Sequence, residues 1–124
     1  MKKILIVDDE PHIALVIKQF LERAGLNIFT ALNGKLATDF IKKEFPPAII
    51  VDVQMPVMGG IELCEILQQT MPDYKPIIIL MTTRLDRDSR IWAKQHELVS
   101  VMEKPISVRR ILSTFKNHLD HIKE

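Results

Sequence analysis

Five short apolar runs, each followed by a stretch with helical periodicity, constrain the fold of this chain more than any other feature. The runs are nearly continuous and rich in β-branched residues, which is typical of strands buried on both faces of a parallel sheet. The predicted strands are Ile4–Val7, Asn27–Leu32, Ala48–Val51, Ile77–Met81 and Val99–Met102. A chain with this alternation favours an α/β fold in which helices connect neighbouring parallel strands.

The stretches between the runs predict five helices. Pro11 suits the first turn of a helix, and Gly25 is a common residue at a helix end. The apolar stripe between them consists of Ile13, Val16, Ile17, Phe20, Leu21 and Ala24. The next helices are predicted over Lys35–Phe45 (with Leu36, Ala37, Phe40 and Ile41 inward), Ile61–Thr70 and Asp86–His96, the last with a poor apolar stripe. The fifth helix carries Val108, Ile111, Leu112, Phe115, Leu119 and Ile122 on one face. Right-handed crossovers then place helices on both sides of the sheet.

Length and charge narrow the class of protein. The 124 residues suit one domain, 1–124, and 17 Lys+Arg against 16 Asp+Glu supply no general field for direct binding to nucleic acid. The single cysteine, Cys64, excludes an internal disulfide or a CxxC motif and indicates a reducing compartment. Since no apolar run approaches the ~20 residues of a membrane span and no signal peptide follows Met1, we expect a soluble, cytoplasmic protein with no membrane partner.

Polar residues follow four of the predicted strands at the point where each strand ends. These are Asp8, Asp9 and Glu10 after the first strand, Asp52 after the third, Thr82 after the fourth and Lys104 after the fifth. In a parallel sheet these ends meet at one edge, where ligands bind. The sequence therefore predicts a functional site at that edge.

The chemistry of these residues indicates a magnesium site and phosphoryl transfer. Two carboxylates about 5 Å apart repel each other by roughly 3 kcal/mol at an effective dielectric constant near 20. Either one of them stays protonated or a cation binds, and an all-oxygen set favours Mg²⁺, with Mn²⁺ as an alternative. A carboxylate can attack phosphorus while Mg²⁺ and the ammonium of Lys104 neutralise the phosphoryl oxygens and Thr82 donates a hydrogen bond.

At these residues the chain resembles the receiver domains of two-component response regulators. The motifs that carry the resemblance are Val7–Glu10, Asp52–Gly60, Pro76–Thr82 and Lys104–Pro105, within a match from Lys3 to Ile122. The separations of 30 residues from Asp52 to Thr82 and 52 residues from Asp52 to Lys104 are also similar to those of the family. The resemblance implies a flavodoxin-like (βα)5 doubly wound parallel sheet with strand order 2-1-3-4-5.

The resemblance also implies a role for each site residue. Asp52 is the expected phosphoacceptor. Asp9, Asp52 and the backbone carbonyl of Gln54 are the expected direct ligands of Mg²⁺, with Asp8 as a ligand either directly or through water. Thr82 is expected to donate a hydrogen bond to the phosphoryl group and Lys104 to pair with it. The Lys104–Pro105 bond is expected to be cis, and Gly59–Gly60 to supply positive φ before the third helix.

The implied function is a switch of a two-component phosphorelay rather than an enzyme with an external substrate. The expected partners are a histidine kinase or phosphotransfer protein, and an output domain or protein that contacts the fourth helix, fifth strand and fifth helix. A monomer or a weak phosphorylation-dependent dimer is expected, as a stand-alone receiver or as the N-terminal module of a longer regulator. Chemistry is limited to phosphorylation and autodephosphorylation of the chain itself.

Several positions depart from the family pattern. Thr83 is larger than the usual Ala or Gly, and Val101 stands where an aromatic residue is common in the fifth strand. Glu97–Leu98 replaces the usual Gly-Ala before that strand. Gln54 and Arg84 lie at positions where the family tunes phosphoryl lifetime, and Arg84 either folds over the site or lies in solvent.

Other interpretations remain open at this point. An aspartyl phosphatase typically has a second aspartate two residues after the nucleophile, where this chain has Gln54. An FMN-binding protein needs a phosphate loop after the first strand, where the acidic residues would repel the phosphate. His118 and His121 are three residues apart but lie among polar residues, and His12 and Cys64 are expected to be a surface residue and a core residue. Trp92 is either a contact for a partner or part of the core.

Overall fold

The computed structural model describes residues 3–83 and 87–118. Strands and helices alternate along the chain, as the periodicity predicts. They are β1 (Lys3–Val7), α1 (Pro11–Arg23), β2 (Asn27–Ala31), α2 (Gly34–Glu44), β3 (Ala48–Asp52), α3 (Gly60–Thr70), β4 (Ile77–Thr82), α4 (Arg87–Lys94), β5 (Val99–Glu103) and α5 (Val108–Asn117).

The five strands form one parallel sheet in the order β2-β1-β3-β4-β5. This confirms the predicted flavodoxin-like doubly wound fold. Val7 of β1 lies beside Val51 of β3, so the next residues in the chain, Asp8 directly after β1 and Asp52 at the end of β3, are neighbours at the sheet edge. The register also places Asp52 beside Met81, which brings the end of β4 to the same edge.

Each face of the sheet has its own apolar core, because the central strands are buried on both sides. Residues of α1 and α5 such as Ile17, Leu21 and Ile111 cover one face, whereas residues of α2, α3 and α4 cover the other. Cys64 is buried in the second core, which confirms its predicted place. Trp92 belongs to the same core, with its ring stacked on that of His96, so it is not an exposed contact for a partner.

The predicted inward stripes of the first two helices are partly wrong. Val16 and Phe20 of α1 and Leu36 of α2 are each about half exposed, at 50%, 47% and 50%. The buried line of α1 instead runs through Ala14, Ile17 and Leu21, at spacings of three and four residues. Val16 and Phe20 lie outside this line, so they are only partly covered by the contact with the sheet.

The ends of the elements differ slightly from the predictions. α2 ends at Glu44, and α4 is shorter than predicted because it ends at Lys94. The predictions for Arg84, Asp86, Leu119, His121 and Ile122 fall outside the described residues. Among the described helices, none has the length and apolar character needed to cross a membrane.

Candidate functional site

Three carboxylates lie together at the carboxyl edge of the sheet. Oxygen atoms of Asp8, Asp9 and Asp52 all lie within 4.8 Å of one another. Asp8 and Asp52 are buried, at 0% and 2% exposure, because they directly follow or end the two central strands. Asp9 is half-buried. The pleat and the parallel register thus concentrate negative charge where little water is available to screen it.

The two buried carboxylates differ in how their oxygens are satisfied. Asp8 Oδ1 accepts a hydrogen bond from the backbone N–H of Glu10 at 2.9 Å, and Asp52 Oδ1 accepts one from the backbone N–H of Gln54 at 3.1 Å. Asp8 Oδ2 is buried without a hydrogen-bond donor. A buried, negatively charged oxygen without a donor is costly unless a cation compensates it. This oxygen and the all-oxygen donor set fit a hard divalent cation.

Lys104 provides a positive charge inside the same cluster. Its Nζ lies 3.1 Å from Asp52 Oδ2 and 3.6 Å from Asp8 Oδ2, and the side chain is 13% exposed. The Lys104–Pro105 bond is cis, as predicted, and the Lys104 N–H donates to the carbonyl of Thr82 at 2.7 Å. The hydrogen bond to Thr82 holds the backbone of Lys104 directly after the end of β5, and its side chain reaches the carboxylates.

The pKa values of this pair shift in the directions that burial and mutual attraction dictate. Burial raises the pKa of Asp52, and the charge of Asp8 adds to this effect, whereas Lys104 lowers it without cancelling the rise. Burial also works to lower the pKa of Lys104. Its hydrogen bond to Asp52 and the charges of three nearby carboxylates outweigh burial, so the pKa of Lys104 is raised overall. The lysine is therefore a permanent cation at neutral pH.

Thr82 reaches the site from the end of β4 and is completely buried. Its hydroxyl oxygen accepts a hydrogen bond from Gln54 Nε2 at 2.8 Å. Gln54 Oε1 accepts a hydrogen bond from the backbone N–H of Thr83 at 3.2 Å. The sequence predicts a metal-binding carbonyl at Gln54 and a position that tunes phosphoryl lifetime, but it does not predict these side-chain contacts. The position of Gln54 two residues after Asp52 was the available signal, but it does not reveal which groups the amide reaches.

The loop between Asp52 and α3 does not have the predicted backbone conformation. The prediction that Gly59–Gly60 supply positive φ is wrong, since Gly59 has φ −73° and Gly60 begins the helix. The residue with positive φ is Val57, at 69°. Gly60 is needed for a different reason, because a Cβ there would lie 2.5 Å from the backbone oxygen of Asp52. Close packing of α3 against the end of β3 thus fixes the position of Asp52.

The structure brings together at one edge of the sheet the five residues whose positions at strand ends predict this: Asp8, Asp9, Asp52, Thr82 and Lys104. His12 is exposed and lines an apolar groove of about 580 Å³ beside Lys104 and Thr83. His118 lies directly after α5 and is not among the residues of the acidic cluster.

Comparisons with known proteins agree with this geometry. The family model described as the response regulator receiver domain matches residues 4–116. The alkaline phosphatase synthesis transcriptional regulatory protein PhoP of Bacillus subtilis is 32% identical over 115 residues, which are 93% of this chain and 47% of that protein. The chain therefore spans about half the length of this curated relative.

Two solved structures show the same likeness in three dimensions. The chemotaxis protein CheY4 of Vibrio cholerae is 28% identical with a TM-score of 0.84, and the match covers 94% of this chain and 98% of that one. A signal receiver domain of a signal transduction histidine kinase from Syntrophus aciditrophicus is 30% identical, also with a TM-score of 0.84. That match covers 100% of this chain and 94% of the other.

Proposed function

The chain belongs to the response regulator receiver family of two-component systems, and from this membership we propose that Asp52 is the residue that a phosphohistidine partner phosphorylates. The observation that carries the proposal is the buried Asp52 carboxylate, held between the ammonium of Lys104 and the acidic residues Asp8 and Asp9. Its Oδ1 is fixed by a backbone N–H, so the carboxylate has a defined orientation toward an incoming donor.

Asp52 acts as the nucleophile in this proposal. A carboxylate oxygen forms a bond to phosphorus as the bond from phosphorus to the donor imidazole nitrogen breaks, and the imidazole leaves with the bonding electrons. Lys104 is already within 3.1 Å of the carboxylate, so it neutralises charge as the phosphoryl group arrives. Thr82, at the end of the neighbouring strand, is the hydroxyl donor to the phosphoryl oxygens.

A divalent cation belongs to the same proposal. The residues that would hold it are Asp8, Asp9 and Asp52, with the backbone carbonyl of Gln54 as a further ligand. When bound, Mg²⁺ or Mn²⁺ supplies positive charge for the phosphoryl oxygens. Asp8 Oδ2 supports this assignment. No hydrogen bond from the described residues satisfies this buried oxygen, whereas a bound divalent cation would.

The remaining parts of the proposal concern the partners. A donor protein has to cover the surface around Asp52, and the apolar groove beside Lys104, lined by residues such as Val16 and Ile106, offers it a contact. We place the contact with an output domain or protein at α4, β5 and α5, in a cytoplasmic protein that is a monomer or a weak phosphorylation-dependent dimer. Direct contacts to nucleic acid or to a membrane are not part of this function.

Gln54 argues against the alternative of a phosphatase with external substrates. A phosphatase of that kind needs an acid or base near the nucleophile, and the amide of Gln54 titrates at no accessible pH. Its side chain is also engaged with Thr82 and Thr83. The chemistry that these residues support is transfer onto Asp52 and later hydrolysis of the same acyl phosphate.

The test is incubation with acetyl phosphate and Mg²⁺, followed by intact mass spectrometry. The wild-type chain should gain one phosphoryl group, and Asp52→Asn should gain none. Asp39→Asn is the matched control, because Asp39 is an exposed carboxylate paired with Lys35 on α2, and it should be phosphorylated like the wild type. Equal labelling of wild type and Asp52→Asn would overturn the proposal.

A further inference from the structure

Gln54 contacts the phosphoacceptor and the end of β4 through different groups. Its backbone N–H donates to Asp52 Oδ1 at 3.1 Å. Its side-chain amide donates to Thr82 Oγ1 at 2.8 Å and accepts from the N–H of Thr83 at 3.2 Å. We refer to these two side-chain hydrogen bonds as the Gln54 bridge. The bridge ties the loop after β3 to the residue that ends β4 and to the one that follows it.

The two bonds of the bridge contact the parts of this segment that sheet pairing does not hold. The backbone of Thr82 is fixed, because it pairs within the sheet and its carbonyl accepts the N–H of Lys104. Sheet pairing does not fix the rotation of the Thr82 side chain or the backbone of Thr83, which follows the strand. Gln54 Nε2 holds the Thr82 hydroxyl oxygen, and Gln54 Oε1 holds the backbone N–H of Thr83.

We propose that the Gln54 bridge stabilises the resting arrangement of Thr82 and Thr83 and opens when the Thr82 hydroxyl turns toward a phosphoryl group on Asp52. Gln54 is then a positioning residue of the switch, acting through Thr82. The inference rests on the proposed phosphorylation of Asp52. Turning the hydroxyl oxygen away from Gln54 breaks the bond to Nε2, and a displacement of Thr83 breaks the bond to Oε1.

The exposure of Gln54 makes such a bridge reversible. The side chain is exposed, so water replaces both partners when the bonds open, and each bond then contributes only a modest preference. Two such bonds shift a two-state equilibrium by about threefold to tenfold. A ligand that binds only the minor state has an apparent affinity equal to its intrinsic affinity multiplied by the fraction of protein in that state. Removal of the bridge raises this fraction, so binding of the ligand should tighten by the same factor.

The experiment uses beryllofluoride, a phosphoryl analogue, in the presence of Mg²⁺. Gln54→Met keeps the length of the side chain and the backbone carbonyl but removes both hydrogen bonds, and Gln54→Ala is a second variant. Both should bind beryllofluoride about threefold to tenfold more tightly than the wild type. The Thr83 amide should also exchange its hydrogen faster in both variants, because it loses its acceptor. Gln69→Met, on the exposed side of α3, is the matched control and should change neither property.

Each outcome decides the inference. Unchanged or weaker beryllofluoride binding in both Gln54 variants would overturn it, since the bridge would then be neutral or would present Thr82 to the phosphoryl group. A general structural role would instead lower Tm and Mg²⁺ affinity together, which also contradicts the inference. If the wild type itself neither binds beryllofluoride nor gains a phosphoryl group on Asp52, the proposed function fails, and the inference fails with it.

Discussion

Replacing Asp8 with Asn should stabilise the protein in the absence of divalent cations, although Asp8 is completely buried at the centre of the site. Asn has nearly the same shape as Asp, so the backbone N–H of Glu10 keeps an acceptor in the side-chain carbonyl. The substitution removes one negative charge from a cluster of three. It also replaces a charged oxygen that no hydrogen bond satisfies with a neutral group.

The size of the effect follows from the distances. At an effective dielectric constant of about 20, Asp8 gains roughly 4–5 kcal/mol from Lys104, whose Nζ is 3.6 Å from Oδ2. Its repulsion from Asp9 and Asp52, with oxygens within 4.8 Å, is at least about 3.5 kcal/mol for each. Repulsion therefore exceeds attraction by about 2 kcal/mol before the desolvation of the buried carboxylate is counted. We expect a gain of at least about 2 kcal/mol, or roughly 5–10 °C in Tm.

The assay is urea denaturation of wild type and Asp8→Asn, each in EDTA and in excess Mg²⁺. In EDTA the variant should be the more stable protein. Mg²⁺ should stabilise the wild type increasingly as its free concentration rises above its Kd, and it should stabilise Asp8→Asn much less, because one ligand charge is lost. Asp39→Asn controls for removal of a surface charge and should stay within about 0.5 kcal/mol of wild type in both buffers. A destabilised Asp8→Asn in EDTA would refute the electrostatic reasoning.

Two further predictions concern Val57 and Cys64. Val57 is fully exposed and has φ 69°, a conformation that is strained for a β-branched residue, so Val57→Gly should raise Tm by roughly 3–6 °C, with a smaller rise for Val57→Ala. A lower Tm for Val57→Gly in a thermal melt would contradict this. Burial, with a contribution from the charge of Glu65, raises the pKa of the Cys64 thiol to about 12, so iodoacetamide at pH 8.5 should alkylate the native protein far more slowly than the protein in urea. Equal alkylation rates in the native protein and in urea would show that the Cys64 thiol is not buried. Because the thiol of the unfolded protein ionises near 9.0, the stability gained by burying the neutral thiol should be lost as pH rises from about 9 toward 12.

The position of the site could be predicted because the signals that define it are local. A continuous apolar run and the polar residue that ends it are adjacent in sequence, as in Ile4–Val7 followed by Asp8. Parallel topology then brings all carboxyl ends to one edge without further information. Asp52, Thr82 and Lys104 consequently meet there although they are far apart in the chain.

Features that depend on contacts between elements could not be predicted in the same way. Helical spacing identifies an apolar side of α1, but it does not give the width of the contact with the sheet, which leaves Val16 and Phe20 half exposed. The loop after β3 is a second example, because the close approach of Gly60 to the backbone oxygen of Asp52 and the positive φ of Val57 are both features of the folded loop that no local sequence pattern indicates.

The strong and the weak interactions of the site have different consequences for switching. Lys104 lies within 3.6 Å of both buried carboxylates, and its raised pKa keeps it charged, so it faces negative charge whether Asp52 is free or phosphorylated. An interaction present in both states largely cancels from the free-energy difference between them, however strong it is. The two hydrogen bonds of the Gln54 bridge involve exposed or neutral groups and contribute far less, but in the proposed switch they exist in the resting state alone. Substitution of Lys104 should therefore alter phosphoryl chemistry and stability most, whereas substitution of Gln54 should alter the balance between the two conformations.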